Sequence, residues 1–92
     1  MEVQIEKGVL KTLEKFPEKI REHIFSHLCK LEDPYSAPGV ECLNAKFQVY
    51  RMHIGRTYTI IFKIHKEEKL VNVLDLMTIE QAHKRYGRYF SK

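Results

Sequence analysis

Arg51 and His53 stand two residues apart in the stretch YRMHIGRTYTIIFKIH, residues 50–65. In an extended strand that spacing puts both on one face, while Tyr50, Met52 and Ile54 take the other. A guanidinium forks onto phosphate oxygens. An imidazole can hold or pass a proton near neutral pH. A second group of such residues lies at 83–90, HKRYGRYF. It interleaves His83, Lys84, Arg85 and Arg88 with Tyr86, Tyr89 and Phe90, cations for backbone phosphates and rings for stacked bases. Arg56 sits between the two runs of the first stretch. Thr59, Lys63 and His65 can share the face of Arg51 on a neighbouring strand, with Ile61 interrupting that polar surface. These residue types in this pattern point to contact with phosphate, and to phosphoryl chemistry on nucleic acid.

Other chemistries find less support. The chain has no GxGxxG, P-loop, HExxH or GxSxG pattern. Cys29 and Cys42 show neither CxxC nor zinc-ligand spacing, and neither has a base close by in sequence. His23 and His27 fall at i and i+4, a geometry able to chelate a metal, but no third ligand accompanies them. No metal or cofactor is expected, and an exposed helical flank accounts for the histidine pair.

The composition bounds what must carry these residues. The chain has 92 residues, 43% hydrophobic and 30% charged, which is globular and fits one domain over 1–92. A chain of this size holds one core and has little volume for a deep pocket, so function is expected on an exposed face. Charge is unevenly placed. Residues 1–45 hold six Lys/Arg against eight Asp/Glu, a net of −2, whereas residues 46–92 hold ten against four, a net of +6. A basic half favours an anionic partner, nucleic acid or an acidic protein. No apolar run approaches the roughly 18 residues of a membrane span. Two cysteines without a signal peptide suggest a reducing cytoplasm.

The elements follow from periodicity. Residues 1–6 alternate and read as a strand. Val9, Leu10, Leu13 and Phe16 then take helical spacing. Pro17 breaks that pattern and opens a second helix striped by Ile20, Ile24, Leu28 and Leu31. Residues 33–45, with two prolines and a glycine, read as a loop. Strands are expected at 46–54, 58–65 and 70–77, joined by Gly55-Arg56-Thr57 and Lys66-Glu67-Glu68-Lys69. Residues 78–92 read as a short helix capped by Thr78, or as a tail. The expected class is α+β: an N-terminal strand, a helical hairpin, a three-stranded antiparallel meander and a short C-terminal helix or tail. The hairpin covers one sheet face and leaves the other open.

This order, together with LKTLEKFPEKIREHIFSHLCKL and its central proline, resembles the RelE/ParE superfamily of toxins from type II toxin–antitoxin systems. The segment YRMHIGRTYTIIF is similar to that family's YRxRxGxYRxxY/F core, and the strand VNVLDLM and a basic C-terminal segment follow it. The resemblance spans nearly all of the chain. For the RelE branch it implies a metal-independent endoribonuclease acting on mRNA in the ribosomal A site, by attack of the 2′-hydroxyl on the adjacent phosphate. By position, it carries a catalytic role to Arg51 and a second basic role to His53. A C-terminal group drawn from His83, Lys84, Arg85 and Tyr86 would complete the site, with the proton-transfer role open between His83 and Tyr86. Arg56 and Arg88 add RNA contacts. The implied partner is a cognate antitoxin, giving a toxin–antitoxin hetero-oligomer; the alternative is a ParE-like topoisomerase inhibitor or a weakened relative. One departure stands out: Thr59 occupies a place where the family often has arginine, with Arg56 in the turn as the available substitute.

Overall fold

Two helices lie against one face of a sheet because Phe16-Pro17 divides an otherwise continuous helical pattern. Pro17 is the N-cap of the second helix, with φ −56° and ψ 151°, an extended geometry that a helix interior excludes. The structure, a computed structural model, describes residues 1–85. The order is β1 (Glu2–Ile5), α1 (Lys7–Glu14), α2 (Glu18–Cys29), a 3₁₀ turn (Lys30–Glu32), β2 (Val40–Asn44), β3 (Val49–Ile54), β4 (Tyr58–His65), β5 (Leu70–Thr78) and α3 (Ile79–Arg85).

The sheet order is β1-β5-β4-β3-β2. β1 pairs in parallel with β5, and the other neighbours pair antiparallel. The class is α+β, as the periodicity predicts, but the meander has four strands. Val40–Asn44, expected within a loop, forms β2 at the sheet edge. Its pattern hides it: Glu41 and Cys42 are both exposed, and Pro38-Gly39 precedes it. Gly39 takes φ +75° where the chain enters the edge, a conformation that suits glycine. β3 also begins later than expected, at Val49, because residues 45–48 form a turn in which Gln48 adopts φ 56°.

The main core lies between the helices and the sheet. Val9 and Leu13 from α1, and Ile24, Leu28 and Leu31 after the proline, meet Met52, Ile54, Ile60, Phe62, Ile64, Val71 and Val73. Each such side chain contributes about 1.5–3 kcal/mol on full burial. Leu10, expected in the α1 stripe, is 42% exposed.

The opposite sheet face, expected to be open, is partly covered. α3 folds back onto it, and Ala82 is fully buried beside Val49, Ile61 and Met77. Thr78 starts that helix as predicted: its hydroxyl accepts from the N–H of Gln81 at 3.2 Å, and the Gln81 side chain accepts from the N–H of Thr78 at 3.2 Å. This reciprocal capping box satisfies two donors that a helix start leaves unpaired. The N–H of Ile79 also donates to the Thr57 carbonyl at 2.9 Å, tying α3 to the β3–β4 turn.

Candidate nucleic-acid interface

Strand register decides which side chains reach the face under α3. Arg51 pairs with Ile61, and His53 with Thr59. Ile61 belongs to the apolar cluster of that face, so Arg51 and His53 share it, as their spacing predicts. Asp75 reaches it by a different route. Ile61 opposes Asp75 while Phe62 opposes Val73, so a bulge leaves Leu74 as the extra residue. Strict alternation would place Asp75 beside Val73 in the core. The bulge turns it outward instead.

The result is a transverse row, Glu41–Arg51–Ile61–Asp75, across four strands. Glu41 and Asp75 sit at its ends and each holds an arginine. Arg51 Nη2 donates to Glu41 Oε2 at 2.6 Å. Arg85 Nη1, from α3, donates to both oxygens of Asp75 at 3.3 and 3.2 Å. Asp75 lies two inter-strand spacings from Arg51, about 10 Å. Both arginines are therefore oriented by carboxylates, on either side of an apolar floor at Ile61. The Asp75–Arg85 pair also anchors α3 to β5.

His53 adds a polar atom to this face. Its Nδ1 is buried and has no hydrogen-bond partner among the described residues, a condition that polar atoms in native structures seldom tolerate without a role. His83 and Lys84 are exposed on α3. Tyr86 and Arg88, the other two expected site residues, lie outside the described residues. Arg56 is not with the others. It sits in the β3–β4 turn and lines a cleft against α2 with Lys19 and His23.

Thr59 has a structural occupation of its own. It is fully buried, and its hydroxyl donates to the Met52 carbonyl at 3.2 Å. An arginine there would have to leave this site for solvent, because a buried unpaired charge is strongly unfavourable. Tyr50, the first residue of the motif, points into the helix-side core, stacks on Phe62 at 5.8 Å and donates to Gln48 Oε1 at 3.0 Å. Burial pushes its phenol above the ordinary value.

The remaining nucleophiles and ligands form neither a disulfide nor a metal-ligand cluster among the described residues. Cys29 and Cys42 are free thiols. The rings of His23 and His27 approach to 4.7 Å edge to face, and no group of three metal ligands occurs among the described residues. No helix among them is long and apolar enough to cross a membrane.

The Arg51–Glu41 pair makes a testable point about charge. The hydrogen bond from Arg51, and then its positive charge, hold the Glu41 carboxyl below its ordinary value of 4.5, with a smaller contribution from His53. The folded value is depressed, so the contact is fully present above pH 4.5 and is lost as pH falls through the lower folded value. Carbon-detected NMR titration should show Glu41 with a midpoint below 4.5, returning to the ordinary range in Arg51→Ala. An unchanged midpoint in the variant would mean that the pair does not persist in solution.

No family model matches the sequence, and no curated protein matches it. Solved structures do. The chain resembles RelE in the archaeal RelE–RelB complex of Pyrococcus horikoshii OT3, with TM-score 0.73, 24% identity, and 84% of this chain and 92% of that chain covered. It resembles the isolated E. coli RelE toxin with TM-score 0.68 and 15% identity, over 91% of this chain and 96% of that one. The YoeB–YefM complex of Staphylococcus aureus matches with TM-score 0.62 and 11% identity, over 84% and 94%. The helical hairpin, the sheet and the returning C-terminal helix thus make one known architecture, and this chain has the RelE toxin fold.

Proposed function

We propose that this protein is the toxin of a type II toxin–antitoxin pair and a cytoplasmic, ribosome-dependent mRNA endoribonuclease. The observation that carries the reading is the gathering of Arg51, His53 and the cationic helix α3 on one sheet face, within a RelE toxin fold. In the reaction, the 2′-hydroxyl oxygen attacks the adjacent phosphorus and the bond from phosphorus to the 5′-oxygen breaks. A base removes the hydroxyl proton, and the departing 5′-oxygen gains one. The products are a 2′,3′-cyclic phosphate and a 5′-hydroxyl.

Arg51 is assigned to the charge that develops on the phosphoryl oxygens, the task guanidinium geometry serves best. His83 or Tyr86 takes the proton-transfer role, and a positioned base is worth roughly a hundredfold to ten-thousandfold. His53, Lys84, Arg85 and Arg88 hold the strand. Alignment of attacker and leaving group supplies much of the remaining rate, and the ribosome provides it by fixing the message. The matched RelE chains in the Pyrococcus horikoshii and Methanococcus jannaschii structures are in complex with RelB antitoxins. A cognate antitoxin covering the basic face is the corresponding partner here.

One observation favours a second reading. Glu41 and Asp75 already neutralise the two arginines of the face, which suits a surface that binds protein, as in a ParE-like inhibitor of a topoisomerase. Induced expression followed by mapping of mRNA 5′ ends separates the two. Cuts phased to codons on translated messages are expected. Intact messages with DNA damage would replace the nuclease with the second reading.

A further inference from the structure

Arg56 lies away from Arg51, and its surroundings define a site of their own. A cleft of about 280 Å³ opens between α2 and the β3–β4 turn. Lys19 and His23, one helical turn apart on α2, form one side, and Arg56 forms the other. Ile20, Ile54 and Tyr58 make its apolar part, with the Tyr58 ring braced against Phe16 at 5.2 Å. No carboxylate lines it. That is the contrast with the sheet face, where Arg51 and Arg85 are each held by an acid. Lys19 and Arg56 are exposed and make no ion pair among the described residues.

The turn that carries Arg56 has a defined conformation. Gly55 adopts φ +62°, and a Cβ there would meet His23 Nε2 at 3.9 Å. A side chain at 55 would therefore strain the backbone, while its Cβ would make only an ordinary contact with the histidine. The N–H of Ile79 fixes the same turn by bonding to the Thr57 carbonyl, so Arg56 projects from a held segment.

We propose that this cleft is a second RNA contact, which takes a backbone phosphate between Arg56 and Lys19 and seats the adjoining sugar or base against Tyr58. Two unopposed cations beside an apolar wall match the alternation of charge and ring in a single RNA strand. An acidic protein segment would bring carboxylates but gain little from the Tyr58 wall. The proposal deepens the nucleic-acid reading by adding a site outside the Arg51 face, and it does not require that face to cleave.

The test is binding of a 20-nucleotide single-stranded RNA, followed by fluorescence anisotropy from 50 to 200 mM salt. Lys19→Ala/Arg56→Ala should weaken binding about tenfold at low salt. It should also flatten the slope of log affinity against log salt by about 0.7, the contribution of one single-strand phosphate contact. Lys66→Ala/Lys69→Ala removes the same charge from the β4–β5 turn and should leave the slope near wild type. An unchanged slope in the first variant, or an equal change in both, would overturn the proposal. Competition by poly-glutamate as strong as by RNA of equal charge would overturn it in favour of an acidic protein. Message cleavage is read separately. Intact messages after induction of the wild-type protein would sink the nuclease reading while leaving the salt slopes to judge this cleft.

Discussion

Arg51→Ala is expected to lower message cleavage about 100-fold, the usual cost of removing one group that stabilises developing charge in a transition state. His83→Ala should cost at least as much if His83 is the proton acceptor. Because both act on one phosphate, the double variant should fall well short of the product of the two effects. The fold should survive. Arg51 keeps only 20% of its side chain exposed, but it pairs with the largely exposed Glu41, and neither side chain belongs to the main core. The exposure of Glu41 also explains how Arg51 can be both held and available: a phosphate arriving over the Ile61 floor competes with a carboxylate that water can readily resolvate. Arg51→Lys provides a sharper test than alanine. It retains the charge but loses the planar fork, so a bidentate role predicts a large loss where simple charge neutralisation predicts a small one. Cleavage assays on translating ribosomes, with thermal melts alongside, read both. Undiminished cleavage by folded Arg51→Ala/His83→Ala would refute the assignment.

The parts of this site that sequence made legible are those governed by period. Alternation in YRMHI places Arg51 and His53 together, and pairing with Ile61 and Thr59 keeps them so. Thr78 and Gln81 mark the start of α3, and they do cap it. What was not legible depends on breaks in period. Asp75 reaches the outer face only through the bulge at Leu74, and nothing in LVNVLDLM distinguishes a bulge from a regular strand buried on both faces. Glu41 is hidden for a related reason. It belongs to an edge strand with one paired neighbour and an exposed pattern, and Pro38-Gly39 made the segment read as loop. These two carboxylates are the acids that orient Arg51 and Arg85, so the local charge balance of the site escaped a reading based on half-chain totals. Thr59 is a third case. Its polarity suggested a surface position, whereas the hydroxyl satisfies itself on the Met52 carbonyl inside the sheet. Arg56 lies close to Arg51 in sequence, but the turn carries it to the cleft against α2.

Phe62→Ala is expected to bring the protein to the edge of unfolding. Phe62 is fully buried on the central strand β4, stacked on Tyr50 with ring planes 18° apart. Truncating a buried phenylalanine costs about 3–5 kcal/mol, through lost transfer energy and the cavity left behind. A small domain has only about 5–15 kcal/mol in all. At about 4–8 °C per kcal/mol for this size, the melting temperature should fall by roughly 12–40 °C. The loss would reach function through geometry. Phe62 holds β4 against the helices, and its neighbour Ile61 is the floor between Arg51 and Asp75 on the other face. Ile61→Val provides the comparison. It removes one methylene from the smaller cluster under α3, at about 0.5–1.5 kcal/mol. It should therefore loosen α3 before it unfolds the sheet. Hydrogen exchange distinguishes the two: Phe62→Ala should lower protection throughout β3, β4 and β5, and Ile61→Val chiefly within α3. Equal loss of protection everywhere in Ile61→Val would show instead that the two faces of the sheet unfold as one unit.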